Sequence, residues 1–143
     1  MGTVGRGNAA EAAVLGALTS AGLHVLLPFG DGLSFDLGAV GPDGRVVRLQ
    51  VKSGRVRKGC VEFNCTSTDH GHGQTDYRGR ADAIAVFVPE LDRVFVVPVE
   101  TCPRSKGYLR LDAARNNQRQ RVRLADDYSL EAWLGSLQGA LMT

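Results

Sequence analysis

The chain has 143 residues, 43% hydrophobic and 22% charged, which is the balance of an ordinary globular protein and excludes a disordered or fibrous one. A core of this size buries about 70% of the unfolded chain's surface, so one domain spanning 1–143 is expected. The net charge of +2 is too small to recruit nucleic acid through the field of the whole molecule. No apolar run approaches the roughly 20 residues that cross a bilayer, and M-G-T-V-G-R-G-N lacks a signal-peptide core. A cytoplasmic protein with no membrane partner is the expectation.

Residues 7–22 read as a first helix, with Asn8 as cap, Glu11 three residues on as in a capping box, and Gly22 as terminator. Its alanines favour helix and make a narrow face that can lie close to a sheet, and Val14, Leu15 and Leu18 form the apolar stripe. Residues 24–29 are a short strand that Pro28 places at an edge. Two strands follow at 35–40 and 45–53, joined by the reversal Gly41-Pro42-Asp43-Gly44. Residues 55–59 read as a basic loop. Val61, Phe63 and Cys65 then alternate with Glu62 and Asn64, the pattern of a half-buried strand.

The stretch 66–79 is polar and glycine-rich, a long connection of the kind that carries function or stays disordered. The continuous apolar runs at 83–88 and 94–97 suggest strands at the sheet centre. A short helical turn fits between Pro98 and Pro103, a further strand at 108–111, and a basic turn at 115–118. Residues 130–141 close the chain as a helix capped by Ser129, with Leu130, Trp133, Leu134 and Leu137 on one face. The three cysteines, Cys60, Cys65 and Cys102, show no metal-ligand spacing and read as reduced thiols. The pattern is α/β, a mixed β-sheet flanked by an N-terminal and a C-terminal helix.

The chemistry concentrates in residues 34–55. Asp36 lies in an apolar strand between Phe35 and Leu37, and Gln50 and Lys52, two apart, share one face of the next strand. An acid beside an amide and an amine is the skeleton of a metal-dependent phosphodiesterase site. Asp36 can ligate a hard cation, the backbone carbonyl of Val51 can face it, and Lys52 can orient water or neutralise developing charge. Gln50 stands where such sites usually have an acid. Glu11 is either a cap or a second metal ligand, and the residues alone favour the cap. The plain alternative makes Asp36 a turn-flanking acid and Lys52 a snorkelling surface lysine.

This arrangement resembles the PD-(D/E)xK nuclease superfamily, and most nearly the small group I intron-associated endonucleases of homing type within it. The segments G-N-A-A-E-A-A-V-L, V-L-L-P-F-G, T-D-H-G-H-G, Y-R-G-R-A-D and A-R-N-N-Q-R-Q-R carry the likeness along nearly the whole chain. The resemblance implies a restriction-endonuclease-like core and Mg²⁺-dependent, site-specific cleavage of double-stranded DNA, with Mn²⁺ as a possible substitute. It also implies a homo-oligomer, dimer or tetramer. The site residues it implies are Glu11, Asp36 and Lys52, with Gln50 in the variable position. Phe35 replaces the proline of the superfamily's name, and Gln50 its acid.

Two basic stretches become candidate DNA contacts. Arg55, Arg57 and Lys58 follow the site strand, and Tyr77, Arg78 and Arg80 end the polar connection. Asn116, Asn117, Gln118, Arg119 and Arg121 offer a third set of donors. Two rival functions share these residues: a structure-selective nuclease of the Holliday-junction-resolvase kind, and an inactive DNA-binding module of nuclease ancestry, which Gln50 favours.

Overall fold

The computed structural model describes residues 2–30, 32–69, 73–112 and 123–142. The first helix, α1 (Thr3–Ser20), begins earlier than the sequence suggests and starts at Gly2 with no side-chain cap. Asn8 is therefore inside the helix, and the capping-box reading of Glu11 is corrected: Glu11 lies mid-helix. The alanine-rich sequence is sufficient to extend the helix past the apparent cap. Ala10, Val14 and Leu18, four residues apart, form the buried stripe. The helix ends in a Schellman arrangement: Leu23 N–H donates to the Leu18 carbonyl, Gly22 N–H to that of Thr19, and Gly22 takes φ +91°.

Five strands form the main sheet: β1 (His24–Leu26), β2 (Leu37–Val40), β3 (Val46–Ser53), β8 (Ala83–Val88) and β9 (Arg93–Pro98), in that spatial order. Only the β3–β8 pairing is parallel, so the sheet is mixed, as expected. The 41–44 reversal closes with Gly44 N–H on the Gly41 carbonyl at 2.9 Å, with Gly44 at φ +83°. β9 is an outer strand rather than a central one. Its apolar residues are covered instead by the 3-10 turn Ala125–Tyr128 and by α2 (Leu130–Met142). Ser129 caps α2 as anticipated, its Oγ accepting from Ala132 N–H at 3.1 Å.

Two stretches taken for loops are hairpins. β4 (Arg55–Arg57) turns through Lys58 (φ 53°) and Gly59 (φ 76°) into β5 (Cys60–Asn64), which also pairs with β10 (Lys106–Arg110). Positive φ at both turn residues suits the twist of a two-residue hairpin loop. β6 (Thr66–Asp69) and β7 (Gly73–Asp76) pair within the expected 66–79 loop. The short helical turn is present as Val99–Thr101.

The result is layered. Ala10, Val14 and Leu18 of α1 pack on Leu49, Val51, Ala83 and Ala85, on one face of the main sheet. On the other face, Ile84, Val86 and Phe95 meet Val61, Phe63 and Leu109 from the β4–β5–β10 sheet. The chain crosses between the sheets at Gly54, where a Cβ would stand 2.6 Å from Val86 Cγ1, so only glycine fits without displacement. No helix among the described residues is long and apolar enough to cross a membrane.

Candidate active site

The β2–β3 ladder ends at the pair Leu37↔Leu49, and the chain just before it supplies the acid. Asp36 N–H donates to the Leu49 carbonyl at 2.8 Å, which fixes the residue's backbone against β3. Its Oδ2 accepts from the Val51 N–H and from Gln50 Nε2, both at 2.8 Å. The carboxylate is thus oriented by the backbone of one strand and the side chain of the same strand. Gln50 acts here as a hydrogen-bond donor to Asp36, a role that the usual acid could fill only when protonated. Sequence reasoning treated Gln50 as a weakened ligand and missed this.

Glu11 reaches the same place from α1. Burial holds its carboxyl above the usual carboxylate range, and the charge of Asp36 and a hydrogen bond with Asp36 push the same way. The two acids line a cleft of about 280 Å³ with Pro28, Gly30, Gly32, Leu33 and Phe35. No salt bridge among the described residues neutralises either acid. Within a strand, N–H and C=O of one residue leave on the same side. The Val51 carbonyl therefore leaves β3 on the edge where its N–H meets Asp36. This donor set is all oxygen and includes two carboxylates, which fits a hard divalent ion completed by water. No group of three or more His, Cys, Asp or Glu side chains stands together among the described residues, so the Glu11–Asp36 pair has no third such side chain beside it.

Lys52 shares the strand face of Gln50. Its Nζ donates to the Thr66 carbonyl at 3.3 Å and lies 5.2 Å from the centre of the Tyr77 ring. Tyr77 was expected to face DNA. It is instead 3% exposed, packed in the core where its ring supports Lys52. Arg78 and Arg80 are exposed, but Arg78 donates to the Cys102 carbonyl at 2.8 Å and lines a different cleft, with Arg48, Asp82 and Glu100. Arg48 itself is committed to Asp82, which accepts from its backbone N–H at 2.7 Å and from its guanidinium at 3.1 and 3.2 Å. The guanidinium holds the Asp82 carboxyl below its ordinary range.

Arg55, Arg57 and Lys58 are exposed on the hairpin that leaves the site strand. Val51 and Lys52 line a second cleft, of about 450 Å³, with Arg6, Arg55, Glu62, Asn64 and Lys106. Arg6 and Lys106 were not singled out from the sequence; both are distant in the chain, and only the packing of α1 and β10 brings them here. Cys65 and Cys102 are buried free thiols in hydrogen-bond contact, which lowers the Cys65 thiol and raises that of Cys102. Asn116, Asn117, Gln118, Arg119 and Arg121 lie outside the described residues, as do His70 and His72.

The family model described as PD-(D/E)XK endonuclease matches residues 1–131. The solved structure of a bacterial homing endonuclease, I-Ssp6803I, superposes with a TM-score of 0.74 at 28% identity, over 100% of this chain and 98% of that one. No curated protein sequence matches the chain.

Proposed function

The chain belongs to the PD-(D/E)XK endonuclease family, and from that premise we propose that it hydrolyses phosphodiester bonds of double-stranded DNA at the Glu11–Asp36 pair, with Mg²⁺ as its ion. One observation carries the reading: two carboxylates from different elements meet in one cleft, with no salt bridge to either among the described residues and Asp36 held in place by Val51 and Gln50. Surplus negative charge of this kind calls for a cation, and Glu11, Asp36 and the Val51 carbonyl would hold it. When bound, Mg²⁺ supplies charge neutralisation of the phosphate and lowers the pKa of water. Mn²⁺, with similar oxygen preferences, would substitute.

The protein's own groups divide the remaining work. Gln50 keeps Asp36 turned toward the cleft. Lys52, supported by Tyr77 and tethered to Thr66, would orient the attacking water or neutralise the developing phosphorane charge. Attack of water on phosphorus with the 3′-oxygen as leaving group would leave a 5′-phosphate and a free 3′-hydroxyl.

The likeness to a homing endonuclease supports site-specific cleavage. A domain this small covers few base pairs, so a long target favours a dimer or tetramer. Leu27, Phe29 and Leu33, exposed beside the short edge strand β1, offer apolar surface for such an assembly. The test is plasmid nicking with Mg²⁺, with Mn²⁺ and with EDTA. Cleavage is expected with either ion and none with EDTA. Binding without cleavage under every divalent ion would select the inactive DNA-binding reading.

A further inference from the structure

The registers of β4, β5 and β10 sort their side chains into two faces. Val56, Val61 and Leu109 stand opposite one another, and Phe63 stands opposite Gly107. This face is the buried one, and a Cβ on Gly107 would collide with the Phe63 ring. On the other face, Arg55, Glu62 and Tyr108 form one row, Arg57, Cys60 and Arg110 a second, and Asn64 stands opposite Lys106. The alternation R-V-R, C-V-E-F-N and K-G-Y-L-R thus puts every charge on one side of a three-stranded sheet.

The ion pairs on this face are unbalanced. Glu62, 5% exposed, accepts from Lys106 Nζ at 2.9 Å and Arg55 at 3.3 Å, and has Arg57 at 3.8 Å. The hydrogen bond from Lys106, and then that from Arg55, hold its carboxyl below the usual range. Its three cations remain 58%, 56% and 48% exposed for Arg55, Arg57 and Lys106. Elsewhere among the described residues the pairs are one to one: Arg48 with Asp82, Arg45 with Asp43, Arg93 with Asp126. A buried carboxylate under three half-exposed cations leaves a surplus of two positive charges, with guanidinium N–H groups that one carboxylate cannot use up. Beside them Tyr108, 52% exposed, presents an aromatic ring. This face adjoins the cleft that Lys52 also lines.

We infer that the polar face of the β4–β5–β10 sheet is where the duplex lies as it enters the active site, with Glu62 as the positioning residue that gathers Arg55, Arg57 and Lys106 against its phosphates. The inference rests on the endonuclease reading above and adds to it Asn64, Lys106, Tyr108 and Arg110 as contacts. A duplex fits better than a protein partner because the surplus is all of one sign and spaced along strands, as a phosphate backbone requires.

The decisive experiment measures binding of the full chain to a labelled random-sequence duplex against salt concentration, with plasmid cleavage alongside. Lys106→Gln and Arg57→Gln should each lower the slope of log K on log salt by about 0.9, the share of a single phosphate. Glu62→Gln gives the sharper sign. It removes a negative charge from the protein, so charge alone predicts tighter binding; loss of the gathering acid predicts binding weaker by about ten-fold, with a shallower slope. Glu62→Asp should recover part of that loss. Equal or tighter binding by folded Glu62→Gln, with unchanged slopes for the two cation variants, overturns the inference. Thermal melting monitors folding; if Glu62→Gln does not fold, the slopes of the exposed cation variants decide alone. A changed sedimentation coefficient with unchanged DNA binding would assign the face to a protein contact and equally overturn it. A wild-type chain that neither binds nor cleaves DNA refutes the endonuclease reading itself, whereas cleavage with unmoved slopes refutes only this face.

Discussion

Two electrostatic imbalances of opposite sign lie on either side of Val51 and Lys52. At Glu11 and Asp36 two acids meet with no cation paired to them among the described residues, and burial, with the charge of Asp36 behind it, raises the Glu11 carboxyl. At Glu62 one buried acid gathers three cations. An ion pair built only for stability needs neither surplus, and surface pairs of that kind contribute little, about 0–1 kcal/mol. On the function proposed above, each imbalance is half of an interaction whose other half comes from outside: a divalent cation for the acids, phosphates for the bases. A strand of DNA crossing Lys52, with a divalent cation between its phosphate and the acids, would satisfy both at once.

The largest effects should come from breaking the acidic half. Asp36→Ala and Lys52→Ala are each expected to reduce plasmid cleavage by about a thousand-fold while leaving circular dichroism near wild type. Both side chains are half-buried at the rim of the sheet rather than in its core, so folding should survive. Cleavage at the wild-type rate by either variant would remove the site from this place in the fold.

Gln50→Glu sharpens the same comparison. It exchanges a donor to Asp36 for a third carboxylate, which removes one hydrogen bond to a charged group and adds repulsion. In EDTA at neutral pH the variant should lose on the order of 1–2 kcal/mol. Saturating Mg²⁺ should narrow that deficit, because the added acid raises the affinity for a cation. A deficit that ignores the ion would show that no ion sits against Gln50.

The pH dependence of Glu11 is a smaller effect with a definite sign. Its carboxyl is raised in the folded chain, so the folded state holds this proton more tightly than the unfolded one. Its contribution to stability is full below the ordinary carboxylate range and is lost as pH rises through the raised value. Melting curves in EDTA should thus show wild type losing ground to Glu11→Gln across that rise, with Mg²⁺ restoring wild type only. Parallel curves for the two proteins would mean that Glu11 is neither buried nor in contact with Asp36.

The hairpin holding Asp36, Gln50 and Lys52 was legible because its signals are local: two-residue periodicity and a Gly-Pro-Asp-Gly reversal. Glu11 was misread locally because Asn8 and Glu11 imitate a capping box within a helix that begins at Thr3. The 55–59 and 66–79 hairpins were hidden for different reasons. In the first, basic residues masked a Lys-Gly turn; in the second, glycine and polar side chains give no apolar alternation to count. Glu62 was placed on its strand correctly, but its ties to Lys106 span 44 residues. No local pattern announces a partner at that distance. Tyr77 misled through composition, being an aromatic core residue set among polar neighbours.

The smallest predicted effect serves as the control on all the others. Ser129 Oγ caps α2 through Ala132 N–H, on the side of the molecule where α2 covers β9. Ser129→Ala should cost about 1 kcal/mol, as lost caps do. Neither imbalance involves this cap, so the variant should keep the wild-type cleavage rate, salt slope and Mg²⁺-induced rise in melting temperature. If a loss of that size here also lowered cleavage, the losses at Gln50 and Glu62 could be general loosening of the fold. If it does not, their effects belong to the charges themselves.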